Sequence, residues 1–573
     1  MRHGRFALTG PAVRSYASPE QFRPRGEMPR APHNSEGVVM QRRQFLSAGV
    51  AATLLPALPL SVMPRPALAQ AGGRTLTVGV RTGPESIDPH WSTLGGHIEA
   101  LRHIFDSLVG QDENLGLQPG LALSWKAVDD TTWEFKLRDG VKFHDGSDFT
   151  AEDVKFSLER IPQVTGPMSM TLYTKRATGA EVVDRLTVRV RTNGPAPSLP
   201  NDFSRLMIVS HRIGMGPRNE QFNSGEAAIG TGPFRFVKWE PRGDLVLERF
   251  DGWWGGQQPW ARVIRREIPN DAARIAALKS GQVDIVNYVP ATDVAALQRD
   301  STMEVLVGDS VYVFNVYFNL AEKLPKPVKV DGREIEKNPF LDPRVREAMD
   351  LAIDRRALAR VVFEGLAKPM SQLMPDNFFG SSANLPERRP DLARARALLA
   401  EAGYPKGFEV EFFSTSNRLP GDSALCEALA QQWSRLGLKV IPNALTGTVF
   451  FPASTRGDYS LQMSGWGTLT GEAAYTYGAL VHTKDAAKGF GGFNRANYSN
   501  PEVDRLLEQG SAELDDAKRR ALFERATEIS MKDRPMLPIV MPQTVWAMGK
   551  GKFAFTTRVD QETLAHRITP KAG

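Results

Sequence analysis

The sequence predicts a mixed α/β fold with at least two lobes, and three observations support this prediction. The chain has 573 residues, whereas a single hydrophobic core stops growing near roughly 250–300 residues. Strand-like alternation dominates the first half, and helical periodicity mixed with short strands dominates after residue 340. Strands and helices that follow one another in this way pack as α/β layers rather than as all-α or all-β domains.

The composition is typical of a soluble globular protein, with 41% hydrophobic and 24% charged residues. The formal net charge of +6 comes from residues 1–69, which contain nine arginines and three acidic residues. Acidic and basic side chains balance in the rest of the chain, so we expect no nucleic-acid partner. Cys426 is the only cysteine, which excludes an intrachain disulfide and a cysteine-based zinc site, and its helical context predicts a buried thiol.

Residues 1–69 are predicted to be an N-terminal extension followed by a twin-arginine signal peptide. Arg42 and Arg43 precede an apolar stretch over residues 45–60, and the small residues before the predicted cleavage point suit signal peptidase. Two prolines interrupt the stretch, which is too short to span a bilayer as a helix. We expect cleavage after Ala69 and export to the periplasm by the twin-arginine pathway. A lipid anchor is not expected, because no cysteine follows the stretch.

The first half of the mature chain consists mainly of predicted strands. Asp139-Gly140 has the character of a hairpin turn, and Thr150 with Asp153 forms a capping-box pattern at the start of a helix that ends at Leu158. The predicted strands cover residues 76–80, 133–138, 141–143, 182–191, 234–239 and 245–249, and a further helix covers residues 97–109.

Helices dominate the second half. Asp342 followed by Pro343 is a typical helix start, because the aspartate caps the first turn and proline suits the first helical position. This helix is predicted to end at Ile353. Further helices are predicted at residues 390–402, 421–436, 501–509 and 515–532, and strands at residues 408–413, 438–441 and 459–463.

Ten short motifs follow one another over more than 400 residues: IDPH at 87–90, LALSW at 121–125, FKLRDGVKFHDG at 135–146, TAEDV at 150–154, GTGPF at 230–234, WWGG at 253–256, SGQVD at 280–284, FN at 318–319, VREA at 345–348 and YSNPEVD at 498–504. Each motif alone is a weak signal. Together and in this order, they make the chain resemble the family 5 extracellular solute-binding proteins of ABC transporters, the dipeptide and oligopeptide type.

The resemblance implies a periplasmic-binding-protein-like fold, in which two lobes close on a ligand like a Venus flytrap. It also implies an extra domain inserted into lobe one, the cluster C arrangement, and two chain crossings between the lobes near residues 317–319 and 528–535. The implied domains are residues 74–106, 230–318 and 530–573 for lobe one, residues 107–229 for its inserted domain and residues 319–529 for lobe two.

The resemblance further implies binding without catalysis, cofactor or metal. A small molecule or short peptide that touches both lobes would bind the closed form better than the open form, and so drive closure. The closed protein, expected to be a monomer, would deliver this ligand to the permease of an ABC importer with cytoplasmic ATPase subunits. The alternatives are a ligand-sensing receptor and an exported hydrolase or peptidase, although the sequence contains no Gly-x-Ser-x-Gly or His-Glu-x-x-His motif.

The resemblance also implies where the ligand is held. In the dipeptide binders of this family, an aspartate three residues after a Gly-Trp pair binds the ligand amine. Here Gly465-Trp466 is followed by Leu469 at that position, and Glu472 is the nearest acid that could replace the aspartate. Family members bind the ligand carboxylate with an arginine in a loop after a strand of lobe two, and Arg418 occupies a matching position.

Further ligand contacts are expected from three segments. Trp466 lies between glycines that would leave its ring accessible for stacking on the ligand. Alternation along residues 312–319 separates two faces, one of which should meet the cleft or the crossing. The loop after the first strand should line the opposite wall. Because the amine-binding aspartate is missing, the sequence does not decide between three classes of ligand: a peptide, an opine-like or sugar-derived anion, and another amphipathic solute. The remaining predicted contacts are Asn315, Tyr317, Asn319, Asp88, His90 and Thr468.

Overall fold

The computed structural model describes residues 73–571 except residues 168, 217, 218 and 417. The predicted signal peptide, with Arg42, Arg43 and the cleavage at Ala69, lies outside the described residues. None of the described helices combines the length and the apolar character needed to cross a membrane. Two seven-stranded sheets and one four-stranded sheet form the framework, and helices pack against each of them.

The first large sheet mixes parallel and antiparallel pairs around a central strand. That strand, Arg74–Val80, runs parallel to both of its neighbours, and its residues Leu76, Val78 and Val80 are buried in the core. The helices beside this sheet are Gly95–Leu101, Asp271–Lys279 and Ala291–Arg299. In spatial order, the strands are Met303–Gly308, Thr544–Gly549, Ile285–Val286, Arg74–Val80, Trp260–Glu267, Asp244–Arg249 and Phe234–Trp239.

The four-stranded antiparallel sheet is part of an insertion, because it lies in the chain between the strands Arg74–Val80 and Phe234–Trp239, which both belong to the first large sheet. Thr150 and Asp153 form the predicted capping box at the start of the helix Ala151–Arg160, which packs on this sheet. Its strands, in spatial order, are Ala122–Asp129, Thr132–Leu137, Thr187–Thr192 and Ala177–Asp184. The smaller elements around it are the strands Val109–Gln111 and Leu117–Pro119, the α-helices Leu199–Phe203 and Asn219–Ser224, and the 3₁₀ helices Ile161–Gln163, Met170–Tyr173 and His211–Ile213.

The second large sheet has a separate hydrophobic core, formed by residues of the second half of the chain together with Leu115. Six of its strands, in spatial order, are Arg333–Ile335, Val328–Val330, Glu409–Thr415, Leu461–Gly467, Tyr312–Phe318 and Met536–Pro538, and Lys439–Leu445 pairs with Glu409–Thr415 as the seventh. The helices are the 3₁₀ helix Pro339–Leu341 and the α-helices Pro343–Leu351, Arg355–Val362, Leu392–Glu401, Asp422–Ser434, Gly447–Arg456, Ala473–Leu480, Pro501–Ala512 and Asp516–Asp533.

Two predictions at the level of single helices are confirmed. The Asp342 side chain accepts a hydrogen bond from the amide of Arg344, with Pro343 in the first helical turn. Cys426 is fully buried in the helix Asp422–Ser434, where burial raises the pKa of its thiol to about 12. The remaining elements are the strand pairs Ala367–Pro369 with Val540–Pro542 and Phe553–Phe555 with Ile568–Pro570, and the 3₁₀ helix Ala565–Arg567.

The chain passes between the two large sheets at positions other than those predicted. Tyr312–Phe318, which was expected in lobe one, pairs with Leu461–Gly467 and with Met536–Pro538 inside the second sheet. All seven residues of Tyr312–Phe318 are buried, as is typical of a strand covered on both faces. The changes of sheet therefore fall at residues 308–312 and 538–544, rather than near residues 317–319 and 528–535.

Candidate ligand-binding cleft

Aromatic side chains from both lobes meet at the end of the strand Leu461–Gly467. The ring of Trp466 lies 5.3 Å from that of Tyr475 and 5.1 Å from that of Phe493, measured between centroids. Tyr475 in turn stacks on Tyr173 of the inserted domain at 5.8 Å, with the two hydroxyl oxygens 3.3 Å apart. Trp466 packs against the cores of both lobes and is only partly buried. It therefore lies where the two lobes meet, and its stacking on a ligand stays a prediction.

A pair of threonines fixes the orientation of Trp466. The indole Nε1 donates a hydrogen bond to Thr476 Oγ1 at 3.2 Å, and Thr476 Oγ1 lies 2.9 Å from Thr468 Oγ1. Thr468 is fully buried. The structure thus places Thr468 behind the tryptophan, where it supports the ring through Thr476.

Arg418 lies beside this aromatic group, in the loop that follows the strand Glu409–Thr415. Its Nη1 donates to the carbonyl oxygen of Gly465 at 2.8 Å, and its guanidinium group lies 5.2 Å from the ring centroid of Phe451. A Cβ atom at Gly465 would lie 2.3 Å from a methyl group of Leu419, so the close approach of this loop favours glycine there. The backbone amide of Arg418 donates to Asp422 Oδ2 at 3.0 Å, but within the described part of the chain no carboxylate oxygen lies within 4 Å of its guanidinium group.

A second arginine, Arg495, lies close to Arg418 and was not predicted. Its Nη1 donates to Ser454 Oγ at 2.7 Å, and its guanidinium group lies 5.5 Å from the ring centroid of Phe493. Burial lowers the pKa of Arg495, and the charge of Arg418 lowers it further. Arg495 precedes the YSNPEVD motif by three residues, but its own position carries no periodic or capping signal that could have revealed it.

Tyr317 lies next to both arginines, on the face of the strand that was predicted to meet the cleft. Burial raises the pKa of Tyr317, a hydrogen bond with Ser464 opposes this effect, and the charges of Arg495 and Arg418 oppose it too. Asn315 points to the same face, where its Nδ2 donates to the carbonyl oxygen of Val313 at 2.9 Å. Its Oδ1 has no hydrogen-bond partner among the described residues.

The opposite wall of the cleft is formed by lobe one and its inserted domain. Arg81, at the end of the central strand, is 6% exposed and lies 3.7 Å from Asp271, and two of its guanidinium nitrogens lack a hydrogen-bond partner within the described ranges. Two residues that line a small cavity next to the chain crossings also have a buried oxygen without a hydrogen-bond partner among the described residues. These atoms are Thr544 Oγ1 and Gln561 Oε1. The residues that line the cavity are Tyr288, Val289, Tyr312, Leu419, Pro420, Pro542, Gln543, Thr544, Val545 and Gln561.

Several hydrogen bonds join the inserted domain to lobe two, and four of them, each from a different side chain, end on carbonyl oxygens beside the aromatic group. Three of them end on two successive carbonyl oxygens that follow the Gly-Trp pair: Arg205 Nη2 and Gln111 Nε2 donate to Leu469 at 3.0 and 3.2 Å, and Asn201 Nδ2 donates to Thr470 at 3.0 Å. The fourth joins Lys175 Nζ to the carbonyl oxygen of Gly489 at 2.7 Å. The described conformation is therefore closed, and Leu469 contributes its backbone to the closure.

Glu472, the predicted replacement for the amine-binding aspartate, is buried where lobe two meets the inserted domain, near Asp202. It is 5% exposed and forms an ion pair with Arg519 of the same lobe. Burial raises the pKa of Glu472, and the Arg519 charge opposes that effect. Because the Glu472 carboxylate is bound by Arg519, Glu472 is not available to hold a ligand amine in this conformation.

Three other predicted contacts lie inside a lobe. Both carboxylate oxygens of Asp88 accept hydrogen bonds from Arg160, at 2.9 and 2.5 Å, and His90 Nε2 bonds the carbonyl oxygen of Met207 at 2.9 Å. Asn319 donates to the carbonyl oxygen of Tyr459 and is 3% exposed. These buried polar groups are satisfied by their own lobe, as buried polar groups generally are, so they support the fold rather than the cleft.

Comparisons with known proteins agree with this architecture. The model of the bacterial extracellular solute-binding proteins, family 5, matches residues 116–488. The glutathione-binding protein GsiB of Pectobacterium atrosepticum is 28% identical over 533 residues, which cover 91% of this chain and 97% of the relative. GsiB of Shigella dysenteriae serotype 1 is 26% identical over 492 residues, which cover 84% of this chain and 92% of the relative.

Solved structures show the same fold. The periplasmic binding protein DppA from Helicobacter pylori, in complex with peptide STSA, has a TM-score of 0.75 and 24% identity, and the match covers 87% of this chain and 98% of that one. The binding protein AgaA from A. tumefaciens, in complex with agropinic acid, has a TM-score of 0.74 and 24% identity over 87% and 99% of the two chains. The two-lobe fold and the family model agree, and the chain belongs to the family 5 bacterial extracellular solute-binding proteins, the solute-capturing components of ABC importers.

Proposed function

We propose that this protein captures a small solute bearing a carboxylate group, such as a short peptide or a peptide-like acid, and delivers it to an ABC permease. The observation that carries the proposal is the guanidinium group of Arg418, which lies beside Trp466 in the cleft and has no acidic partner within 4 Å among the residues described. A partly buried cation without a counter-ion favours an anionic ligand, because desolvation is then compensated by a charge-assisted hydrogen bond.

The solutes named for the relatives support this class. Glutathione, peptide STSA and agropinic acid are all small organic acids. Trp466, Tyr475 and Tyr173 would supply apolar ring surfaces against which the body of such a solute can pack. A cleft with one cation and several rings suits an amphipathic acid better than an inorganic anion.

Closure follows from binding by differential affinity. A solute held by Arg418 on lobe two and by groups of lobe one gains contacts that exist only when the lobes meet. The hydrogen bonds from Asn201, Gln111 and Lys175 to lobe-two carbonyl oxygens form in the same movement. The ligand thus shifts the population toward the closed form, which the permease recognises.

The cellular setting is part of the proposal. We propose that the twin-arginine signal peptide with Arg42 and Arg43 directs the protein to the periplasm, where it acts as a monomer. The permease it serves would be driven by cytoplasmic ATPase subunits. The protein itself would bind its solute without altering it.

Native mass spectrometry of the protein purified from its own periplasm tests the solute class, and small-angle X-ray scattering tests closure. We expect a co-purifying organic acid, and a smaller radius of gyration with the solute than without it. An Arg418→Gln variant should lose about 10- to 100-fold in affinity, because a hydrogen bond to a charged group is removed.

The matched control is Arg505→Gln, which removes the same charge from an exposed helix surface of lobe two. Its affinity should stay within about twofold of the unmodified protein. Unchanged affinity in the Arg418→Gln variant, or identical scattering with and without solute, would contradict the proposal.

A further inference from the structure

Two guanidinium groups converge on one recess of lobe two. The arginine recess is defined here by Arg418, Arg495, Phe451, Ser454 and Tyr317. Arg418 lies over the ring of Phe451, and Arg495 donates to Ser454 Oγ. Phe451 and Ser454 are three residues apart on the helix Gly447–Arg456, hence neighbours on one helix face. One helix thus positions both cations next to the same tyrosine.

The charges of this recess are not balanced by the protein. In the described portion of the chain, the guanidinium groups of Arg418 and Arg495 have no carboxylate oxygen within 4 Å, and the bond that Asp422 accepts from Arg418 comes from the backbone amide, at 3.0 Å. The fold does provide acids for other arginines that it buries more deeply. Those pairs are Arg160 with Asp88, Arg205 with Glu562, Arg265 with Glu99, Arg355 with Asp350, and Arg519 with Glu472.

Two unpaired cations near each other are costly unless something neutralises them, because like charges repel and burial weakens their hydration. The lowered pKa of Arg495, caused first by burial and then by the charge of Arg418, reflects this cost. The Arg495 side chain is also oriented, since Ser454 Oγ accepts from it while donating to Gln462 Oε1 at 2.5 Å. An oriented and uncompensated guanidinium is a typical anion-binding group.

We propose that the arginine recess binds a solute with two acidic groups, one held by Arg418 and the other by Arg495. This inference rests on the proposed function and narrows it from a small organic acid to a small diacid. The position three residues after the Gly-Trp pair is Leu469, and Glu472 is bound to Arg519. The cleft is therefore selective for the two acids of the solute rather than for its amine.

The test compares two dipeptides that differ by one charge, Ala-Glu and Ala-Gln, by isothermal titration calorimetry. The unmodified protein should bind Ala-Glu about 10- to 100-fold more tightly than Ala-Gln, because only Ala-Glu can satisfy both arginines. Arg495→Gln should abolish this preference, because it removes the partner of the second acid of Ala-Glu, which Ala-Gln does not have. Arg505→Gln, the exposed control, should keep the preference.

Ser454→Ala provides a second variant that retains the charge of Arg495 but removes the hydrogen bond that orients it. It should weaken Ala-Glu binding by about three- to tenfold and leave Ala-Gln binding unchanged. Urea denaturation of each variant shows whether it is folded. If Arg495→Gln does not fold, the Ser454→Ala result decides the question.

The outcomes separate this inference from the proposed function. Equal binding of the two dipeptides, or an equal loss of both in Arg495→Gln, overturns the diacid inference while solute binding stands. Failure of both dipeptides to bind overturns the diacid inference as well. If a wider panel of organic acids also neither binds to the protein nor reduces its radius of gyration, the proposed function is contradicted as well.

Discussion

Two deeply buried acids of this protein are each bound by an arginine of their own lobe. Glu472 contacts Arg519, and both oxygens of Asp88 accept from Arg160. For Asp88, burial opposes the charged form, but the Arg160 contacts outweigh burial and hold the pKa of the carboxyl below its usual value. Removing one member of such a pair leaves an uncompensated buried charge, which strongly destabilises a fold. These acids therefore stabilise the lobes.

A Glu472→Gln substitution should lower the free energy of unfolding by about 3–5 kcal/mol, because the buried Arg519 would keep only the exposed carboxylate of Asp516, 3.8 Å away, as an acidic partner. Solute affinity should change by less than about twofold. Urea denaturation and calorimetry measure the two quantities. The control is Glu401→Gln, whose side chain is 48% exposed and pairs with Arg394, and which should cost less than about 1 kcal/mol. A large loss of affinity at unchanged stability would instead identify Glu472 as a ligand contact.

Sequence patterns located some site residues and missed others for identifiable reasons. Trp466 and Arg418 could be proposed because Trp466 belongs to a Gly-Trp pair at the end of a strand, and Arg418 lies in the loop that follows another strand. Glu472 was misassigned because its partner Arg519 is 47 residues away, and proximity along the chain gave no hint of that ion pair. Arg495 was missed because it lies in an irregular segment between the helices Ala473–Leu480 and Pro501–Ala512. Such a segment has no periodic pattern from which the position of a side chain could be predicted.

At the scale of elements, contact between segments explains the glycines of the GTGPF motif. A Cβ atom at Gly230 would lie 2.0 Å from the carbonyl oxygen of Ile104, and one at Gly232 would lie 2.6 Å from the carbonyl carbon of Ile104. The amide of Gly232 also donates to that oxygen at 2.9 Å. The motif therefore packs the start of the strand Phe234–Trp239 directly against the backbone that follows the first helix, where there is no room for a side chain.

A Gly230→Ala substitution should destabilise the protein by about 1–3 kcal/mol, because the backbone of Ile104 cannot move aside as a flexible side chain could. The midpoint of urea unfolding measures the change. Gly179→Ala is the matched control, since nothing lies within 4 Å of its added Cβ, and it should stay within about 0.5 kcal/mol. Equal effects of the two substitutions would contradict this account of the motif.

Local element types were predictable, but sheet membership was not. The alternation in residues 133–138 and the capping pattern of Thr150 and Asp153 both correspond to observed elements. The strand Tyr312–Phe318 was recognised as extended, yet it was assigned to the wrong sheet. Apart from Asn315, its residues are apolar or aromatic on both faces. They indicate burial without indicating the partner strand, which depends on residues more than 100 positions away.

At the scale of the whole molecule, closure depends on a small number of polar contacts between the lobes. Asn201→Ala removes the hydrogen bond to Thr470 without disturbing an ion pair. It should lower solute affinity by about fivefold, which corresponds to about 1 kcal/mol, through faster dissociation. Stopped-flow tryptophan fluorescence measures the rate. An unchanged dissociation rate would show that this contact does not contribute to the closed state.

The pH dependence of stability should reflect buried neutral histidines. Burial lowers the pKa of His90, His97 and His144 to about 4. Between pH 6.5 and 4 the unfolded chain therefore binds more protons than the folded one, and the free energy of unfolding falls as the pH decreases. Each histidine contributes up to about 3 kcal/mol over this window.

Urea denaturation at a series of pH values measures this effect, and a His97→Gln variant isolates one contribution. The difference in unfolding free energy between the unmodified protein and the variant should shrink as the pH decreases from 6.5 to 4. A difference that stays constant over this window would show that His97 does not titrate between the folded and unfolded states as described.

The buried thiol of Cys426 has a practical consequence. With no exposed surface and a pKa of about 12, it contributes almost no thiolate at neutral pH and stays unreactive toward maleimides. A cysteine introduced at the exposed position Ala487, near Gly489 at the rim of the cleft, would then be the single site that a fluorescent dye can label. The native chain is thus a scaffold for a reagentless optical sensor of its own solute.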